Sequence, residues 1–88
     1  MQVSVKGVVH FVGDLEEVGR SAIQKKVIVV ETEGQYGQKI PIEFLKDKVN
    51  LLDGFVVGQQ VEVSTNMRGS EYNGKYYLSL NGWKITKV

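Results

Sequence analysis

The sequence has no cysteine, a single histidine and no long run of apolar residues. Disulfide bonds are therefore excluded, and so are metal sites built on thiolates. His10 has no second metal ligand at a suitable spacing, so we expect no metal site. The segment from Met1 to Lys6 alternates in polarity. It predicts neither a signal peptide nor a membrane span, and we expect a cytoplasmic protein.

An excess of charge is also missing, because the formal net charge is only +1. The distribution is less even, since residues 66–88 hold four basic residues and one acidic residue, a local charge of +3. A basic end on a near-neutral chain is a weak sign of a nucleic-acid partner, and ordinary solvated lysines remain the alternative. With 88 residues, of which 42% are hydrophobic and 24% charged, the chain is expected to form one globular domain over residues 1–88.

Signatures of catalysis are absent as well. The sequence has no glycine-rich loop opening a helix, no serine, histidine and aspartate in a recognisable arrangement, and no cysteine nucleophile. The pair Glu16-Glu17 falls in a polar segment, where neighbouring carboxylates are common in solvent. We therefore expect a protein that is not an enzyme and that needs no cofactor.

What the sequence does contain is a series of alternating strands. Val3, Val5, Gly7, Val9 and Phe11 share one face of a first strand, and Gly7 predicts a bulge or tight bend there. Residues 13–24 are polar and are predicted to form a loop. Further strands are predicted at residues 25–32, 38–45, 59–69 and 75–88.

The connections between the strands narrow the choice of fold. Val49 and Leu52 are three apart, which predicts one or two helical turns over residues 46–53, with Asp47 as the cap and Gly54 as the stop. Asn73-Gly74 is the strongest turn signal and predicts a hairpin over residues 70–74. Three strands, a short helix and two strands are the order of elements in an OB fold, so we predict an all-β, five-stranded antiparallel OB-fold barrel with a short helix between the third and fourth strands.

Two resemblances support this prediction. Residues 40–85 resemble the second half of bacterial single-stranded DNA-binding proteins, with Phe44 ending a strand, then a short helix, the strand Val61-Glu62-Val63 and an arginine-bearing hairpin. The runs RGSEYNGKYY from Arg68 and GWKI from Gly82 resemble a family of small bacterial and phage proteins of unassigned function. The DNA-binding proteins usually end in an acidic tail, whereas this sequence ends in Ile-Thr-Lys-Val, so a recruiting role that depends on such a tail is not implied.

Binding of a single strand requires cations for phosphates and aromatic faces for bases. Four of the eight aromatic residues lie between residues 72 and 83, among basic residues. The resemblance implies stacking at Tyr72, and OB domains bind ligands across their second and third strands, beside the first loop and the last hairpin. The predicted nucleic-acid-binding residues are Arg68, Tyr72, Lys75, Tyr77 and Trp83, followed by Lys39, Tyr36 and Lys26 near the turn between the second and third strands and Arg20 in the first loop.

The alternation of the last strand assigns its two tyrosines to opposite faces. Tyr76, Leu78 and Leu80 share the face predicted to enter the core, which leaves Tyr77 outside. Trp83 is equally compatible with core and surface. Phe44 has the parity of Ile40 and Ile42 and is predicted to be buried.

The resulting interpretation is a non-catalytic protein that binds single-stranded DNA, with RNA as the other candidate strand, through a basic and aromatic face and the last hairpin. The alternative is a protein–protein or structural module on the same fold, since a fold does not dictate function. The first strand is long and rich in valine, so we also expect a homodimer or higher oligomer.

Overall fold

The computed structural model describes residues 1–20 and 22–88. Within them the chain forms six strands and one short 3-10 helix. In chain order these are β1 (Gln2–Val12), β2 (Glu16–Val18), β3 (Ile23–Thr32), β4 (Lys39–Leu45), the 3-10 helix (Lys46–Leu52), β5 (Gln60–Tyr72) and β6 (Lys75–Lys87). The short strand β2 and the first two residues of β3 lie in the segment 13–24 predicted as a loop, so that prediction is wrong over these five residues.

Five of the strands form a closed ring. β1 pairs with β5 over its first half and with β3 over its second half. β3 pairs with β4, β5 pairs with β6, and a single parallel pair between Glu43 and Asn81 joins β4 to β6. This strand order, with a helix between β4 and β5, is that of an OB fold. The predicted all-β OB fold is confirmed, and β2 is added to it by pairing with β3.

The core lies inside the ring, and its side chains alternate along the strands. On β5, Val61, Val63 and Thr65 are fully buried while Glu62 is exposed. Burying an aliphatic or aromatic side chain of this size contributes about 1.5–3 kcal/mol. The buried hydrophobic residues are Val5, Val9, Ile28, Val30, Ile42, Phe44, Val49, Leu52, Val61 and Val63.

Phe44 is fully buried, as the sequence predicts, and β6 makes room for its ring with a glycine. A Cβ atom added at Gly82 would lie only 2.6 and 2.7 Å from the Cε1 and Cε2 atoms of Phe44. Real Cβ atoms essentially never approach so closely. A side chain at residue 82 would therefore displace the largest residue of the core.

Gly7 lies where β1 changes partner, since it is paired with both Thr32 of β3 and Val61 of β5. A Cβ atom at Gly7 would clash with the backbone carbonyl group of Glu31. The sequence predicts a bulge or a bend at this glycine. The shift in register falls three residues later, and Gly7 instead allows two backbones to approach each other closely.

Two extra residues reverse the alternation within long strands. In the β1–β3 ladder Val9 is paired with Val30 and Phe11 with Val29, so His10 is the extra residue. This bulge turns Phe11 outward, where 54% of it is exposed, so the prediction that Phe11 shares the face of Val5 and Val9 is wrong. In β6 the register shifts in the same way between Gly82 and Lys84, which makes Trp83 the extra residue there.

The predicted helical turns are confirmed as a 3-10 helix that covers one end of the core. Val49 and Leu52 are its buried residues, and a spacing of three places them on one side of a 3-10 helix. Leu45 occupies the N-cap position without a side-chain hydrogen bond, so the predicted capping by Asp47 is wrong. Gly54 follows the helix with a φ of +86°, as expected of a residue that stops a helix.

Candidate nucleic-acid interface

The hairpin of β5 and β6 projects beyond the ring. Its ladder runs from Val61 paired with Lys87 to Tyr72 paired with Lys75. Pairing with the neighbouring strands ends earlier, because in the described residues β1 last pairs with β5 at Asn66 and β4 pairs with β6 only at Asn81. Towards the tip, from Gly69 on β5 and Leu78 on β6, every residue of the hairpin is exposed.

The hairpin closes at Asn73-Gly74, the predicted turn signal, but β5 continues to Tyr72, so the connection predicted over residues 70–74 shortens to these two residues. Asn73 and Gly74 have φ angles of +52° and +75°. Positive φ at both central residues is the requirement of a type I′ turn, for which Asn-Gly is the preferred pair. The turn therefore places Tyr72 and Lys75 side by side as the last cross-strand pair.

The projecting part of the hairpin has two different faces, because cross-strand partners share a side of the sheet. The outer face consists of Asn66, Arg68, Ser70, Tyr72, Lys75, Tyr77, Ser79 and Asn81. The inner face consists of Met67, Gly69, Glu71, Tyr76, Leu78 and Leu80. The outer face thus carries two cations and no carboxylate, while the inner face carries one carboxylate and most of the apolar residues.

Tyr76 and Leu78 are not in the core, contrary to the sequence-based prediction. They are 79% and 70% exposed, although their parity is that of the half-buried Leu80. The alternation assigns the correct side of the strand, but the ring does not extend far enough to cover that side. The inner face is consequently an exposed apolar surface near the tip of the hairpin.

The outer face presents two rings to solvent, since Tyr72 is 69% and Tyr77 is 52% exposed. Arg68 and Lys75 lie on the same face, and both are exposed. The structure therefore brings together four of the residues that the sequence predicts for binding. The alternation of rings and cations along one face can supply both stacking and phosphate contacts.

At the foot of the outer face, residues of β4, β5 and β6 line an open polar pocket of about 350 Å³. We call it the three-strand pocket. Glu43 lies in it and accepts from two neighbours, Lys25 Nζ at 3.0 Å from Oε1 and Asn81 Nδ2 at 3.5 Å from Oε2. The residues that line the pocket are Glu43, Leu45, Arg68, Gly69, Ser70, Ser79 and Asn81.

Sequence reasoning misses Glu43 and Asn81 as candidates for this surface. Glu43 alternates with the buried Ile42 and Phe44, so its outward direction could have been read from the strand pattern. Its proximity to Asn81 could not, because it depends on the parallel contact between β4 and β6.

Trp83 lies at the surface, which resolves the alternatives left open by the sequence. It is 37% exposed and lines a shallow pocket with Gln2, Ser4 and Ser64. These neighbours belong to the β1–β5 part of the ring, below the projecting hairpin. Trp83 is therefore separate from the four residues of the outer face.

The remaining predicted residues are dispersed around β3 and β4. Lys39 is paired with Glu31 next to the β3–β4 turn, and Tyr36 lies in that turn, 84% exposed. Lys26 is not near this turn as predicted, because it is paired with Phe44 at the other end of the ladder and has the parity of the core. Arg20 is exposed in the connection between β2 and β3.

In the described parts of the chain, residues 1–20 and 22–88, no group of three or more histidine, cysteine, aspartate or glutamate side chains could hold a metal ion. No helix in those residues is long and apolar enough to cross a membrane.

Solved structures similar to this chain share its fold. The mitochondrial single-stranded DNA-binding protein Rim1 of S. cerevisiae superposes with a TM-score of 0.81 and 14% identity, over 100% of this chain and 95% of that one. The N-terminal domain of PriB from Thermoanaerobacter tencongensis, described as a dimeric structure, gives a TM-score of 0.67 and 22% identity, over 99% and 94% of the two chains. At these identities the likeness establishes the fold alone.

Comparison with curated proteins finds no significant sequence match. A family model matches almost the whole chain, from residue 4 to residue 86, and it describes a domain of unknown function, DUF3127. The chain therefore belongs to the DUF3127 family.

Proposed function

We propose that this protein binds single-stranded DNA without catalysis, through the outer face of the hairpin. The observation that carries the proposal is the composition of that face, where Arg68 and Lys75 alternate with the exposed rings of Tyr72 and Tyr77 and no carboxylate intervenes. Cations attract the phosphates, and each stacked base contributes about 1–3 kcal/mol with little dependence on sequence.

The dimensions of the outer face suit an extended strand. Side chains on one face of a β-strand recur every two residues, about 6.8 Å apart. From Asn66 to Tyr72 the outer face therefore extends roughly 20 Å, long enough for several nucleotides. The fold of Rim1, a single-stranded DNA-binding protein, supports the proposal without establishing it.

The other predicted residues would extend the path of the strand. Trp83 lies below the outer face of the hairpin, and Lys39 and Tyr36 lie towards the β3–β4 turn. Arg20 and Lys26 lie at or near the start of β3. We propose that these five residues make weaker contacts than the four on the outer face.

Titration with labelled oligonucleotides tests the proposed function. Single-stranded oligo-dT should bind more tightly than duplex of equal length, because only the single strand exposes its bases to Tyr72 and Tyr77. Binding should weaken as salt rises, since phosphate contacts release counterions. Oligo-rU in the same assay compares RNA with DNA. Absence of binding to any single strand at low salt would refute the proposal.

We also propose that two copies associate through β1. Among residues 1–20 and 22–88, residues 2–6 of β1 pair only with β5, which leaves their other edge unpaired. Met67 N donates to Met1 O at 2.7 Å, so Met1 and Met67 form a hydrogen-bonded pair of the β1–β5 ladder. In an antiparallel ladder every second pair is not hydrogen-bonded, and its backbone groups point away from the partner strand. The backbone groups of Gln2, Ser4 and Lys6 therefore point to the free edge, where a second β1 could pair. The dimeric PriB domain has the same fold.

The inner face of the hairpin favours a second function, that of a protein-binding module. Tyr76 and Leu78 are exposed together with no neighbouring strand to cover them. Apolar residues that are exposed side by side often mark a surface that binds another protein. If single strands fail to bind in the titration, this function becomes the better one.

A further inference from the structure

The three-strand pocket differs in chemistry from the rest of the outer face. Higher up, the face has Lys75 and two aromatic rings, whereas the pocket combines the cation of Arg68 with a carboxylate, a carboxamide, hydroxyl groups and the apolar side chain of Leu45. Its volume of about 350 Å³ is at the lower end of the range for ligand pockets, roughly 300–1,000 Å³. This combination suits one flat polar group and does not suit a phosphate, which the carboxylate would repel.

Glu43 is held in place with part of its hydrogen-bonding capacity unused. Its side chain is 31% exposed, and that of its partner Lys25 is 25% exposed. A carboxylate offers about four lone-pair positions. Lys25 and Asn81 take one each, so acceptor positions remain for a further donor. The ion pair with Lys25 also reduces the repulsion between Glu43 and the phosphates of a bound strand.

The opposite wall of the pocket supplies donors. Arg68 and Ser79 are a cross-strand pair on the outer face, and both line the pocket. A guanidinium group has only donors, and a hydroxyl group can donate or accept. A ligand that fits this arrangement presents an N–H group to Glu43 and acceptors to Arg68.

Cytosine has this pattern on its pairing edge, because its exocyclic amino group donates while N3 and O2 accept. Thymine has the same ring size but carries a carbonyl oxygen where cytosine has the amino group, and that oxygen would face the Glu43 carboxylate. Acceptance of a hydrogen bond from the cytosine amino group is an established use of glutamate in base recognition. We propose that the three-strand pocket binds one base of the single strand and prefers cytosine to thymine, with Glu43 as the acceptor.

This inference rests on the proposed function, and the experiment separates the two. Labelled oligo-dC and oligo-dT of equal length are titrated in a slightly alkaline buffer, in which cytosine is unprotonated. We expect oligo-dC to bind about fivefold more tightly, the effect of one partly exposed base contact. Binding of both with equal affinity would refute the pocket and leave the proposed function standing. Binding of neither would refute the proposed function.

Two variants locate the preference. Glu43→Gln keeps the shape of the side chain but can turn an N–H group towards the base, so the ratio of the two affinities should fall to about one. Glu62→Gln makes the same change of charge on β5, at a residue paired with Lys6 and Thr86 away from the pocket, and should keep the ratio. A ratio that Glu43→Gln leaves unchanged would refute the assignment of Glu43.

A test on the ligand needs no variant, and so it remains decisive if Glu43→Gln does not fold. In oligo-dC whose amino groups each carry two methyl groups, no N–H remains to donate. The unaltered protein should bind this strand no more tightly than oligo-dT. A methylated strand that kept the full advantage of oligo-dC would contradict the hydrogen bond to Glu43.

Discussion

Two tyrosines near the tip of the hairpin allow a direct comparison of its faces. Tyr72 is on the outer face beside Lys75, and Tyr76 is on the inner face opposite Glu71. Their exposures are similar, 69% and 79%. Replacing each by alanine in turn removes the same ring from opposite sides of one element, and only the outer change should affect the binding of a single strand.

The cost to folding should be small and similar for the two variants. An aromatic side chain has roughly 200 Å² that can be buried, and between a fifth and a third of that area is covered here. At about 25 cal/mol per Å², the loss is about 1.5 kcal/mol for Tyr72→Ala and about 1 kcal/mol for Tyr76→Ala. Both variants should therefore fold at room temperature.

The effect on binding should differ between them. Loss of one stacking contact costs about 1–3 kcal/mol, so Tyr72→Ala should raise the Kd for oligo-dT about fivefold to 150-fold. Tyr76→Ala should leave the Kd unchanged within about twofold. Fluorescence anisotropy at low salt measures both values, and thermal melts check that the variants are folded.

The opposite result would refute the choice of face. If Tyr76→Ala weakened binding in a folded protein and Tyr72→Ala did not, the strand would lie on the inner face. Equal weakening by both variants would indicate that the single strand wraps around the tip and contacts both faces. The difference in charge between the faces would then not determine where the strand binds.

Three further outcomes follow from the same structure. Gly7→Ala should lower the free energy of unfolding by about 1–3 kcal/mol, because its Cβ atom would meet the backbone of β3. In Gly69→Ala the nearest atom to the added Cβ is Tyr77 O, 3.9 Å away, so the free energy of unfolding should change little. Chemical denaturation measures both values. Arg68→Ala should flatten the dependence of log K on log salt by about 0.7, whereas Lys6→Ala on β1, paired with Glu62 near the start of β5, should not. Light scattering should give a mass above the 9.8 kDa of a monomer. Ser4→Pro removes an N–H group from the free edge of β1 and should return the mass to that of a monomer. A monomer mass for the unaltered protein at high concentration would contradict pairing through β1.

The sequence predicts those parts of the fold that depend on local patterns. The buried face of β5 follows from the alternation of Val61 and Val63 with polar residues. The spacing of Val49 and Leu52 identifies the short helix, and Asn73-Gly74 identifies the hairpin turn, because few other pairs accept two positive φ angles. These signals require only neighbours along the chain.

The errors arise where a distant strand decides the outcome. His10 adds one residue to β1 opposite β3, and this extra residue turns Phe11 to solvent. The apolar parity of Tyr76 and Leu78 is correct, but burial also requires a covering element, and β1 and β4 pair with the hairpin no nearer its tip than Asn66 and Asn81. A strand pattern gives the side on which a residue lies, and only the tertiary structure determines whether that side is covered.

The candidate site divides in the same way. Arg68, Tyr72 and Tyr77 can be predicted because they lie on one hairpin, whose register is fixed by its turn. The three-strand pocket cannot, because Glu43 and Asn81 are 38 residues apart and meet only through the parallel pair of β4 and β6. The residues proposed to bind a strand can therefore be predicted from one hairpin, whereas the proposed preference among bases depends on the closed ring.

The two proposed functions of the hairpin do not exclude each other, because they use opposite sides of the same two strands. A protein partner on Tyr76 and Leu78 would leave the rings and cations of the outer face free. Such a partner would also stabilise the projecting part of the hairpin, since an isolated two-stranded ribbon is only marginally stable in water. A better ordered outer face loses less conformational entropy when a strand binds, so cover on the inner face would strengthen binding on the outer face without touching the strand.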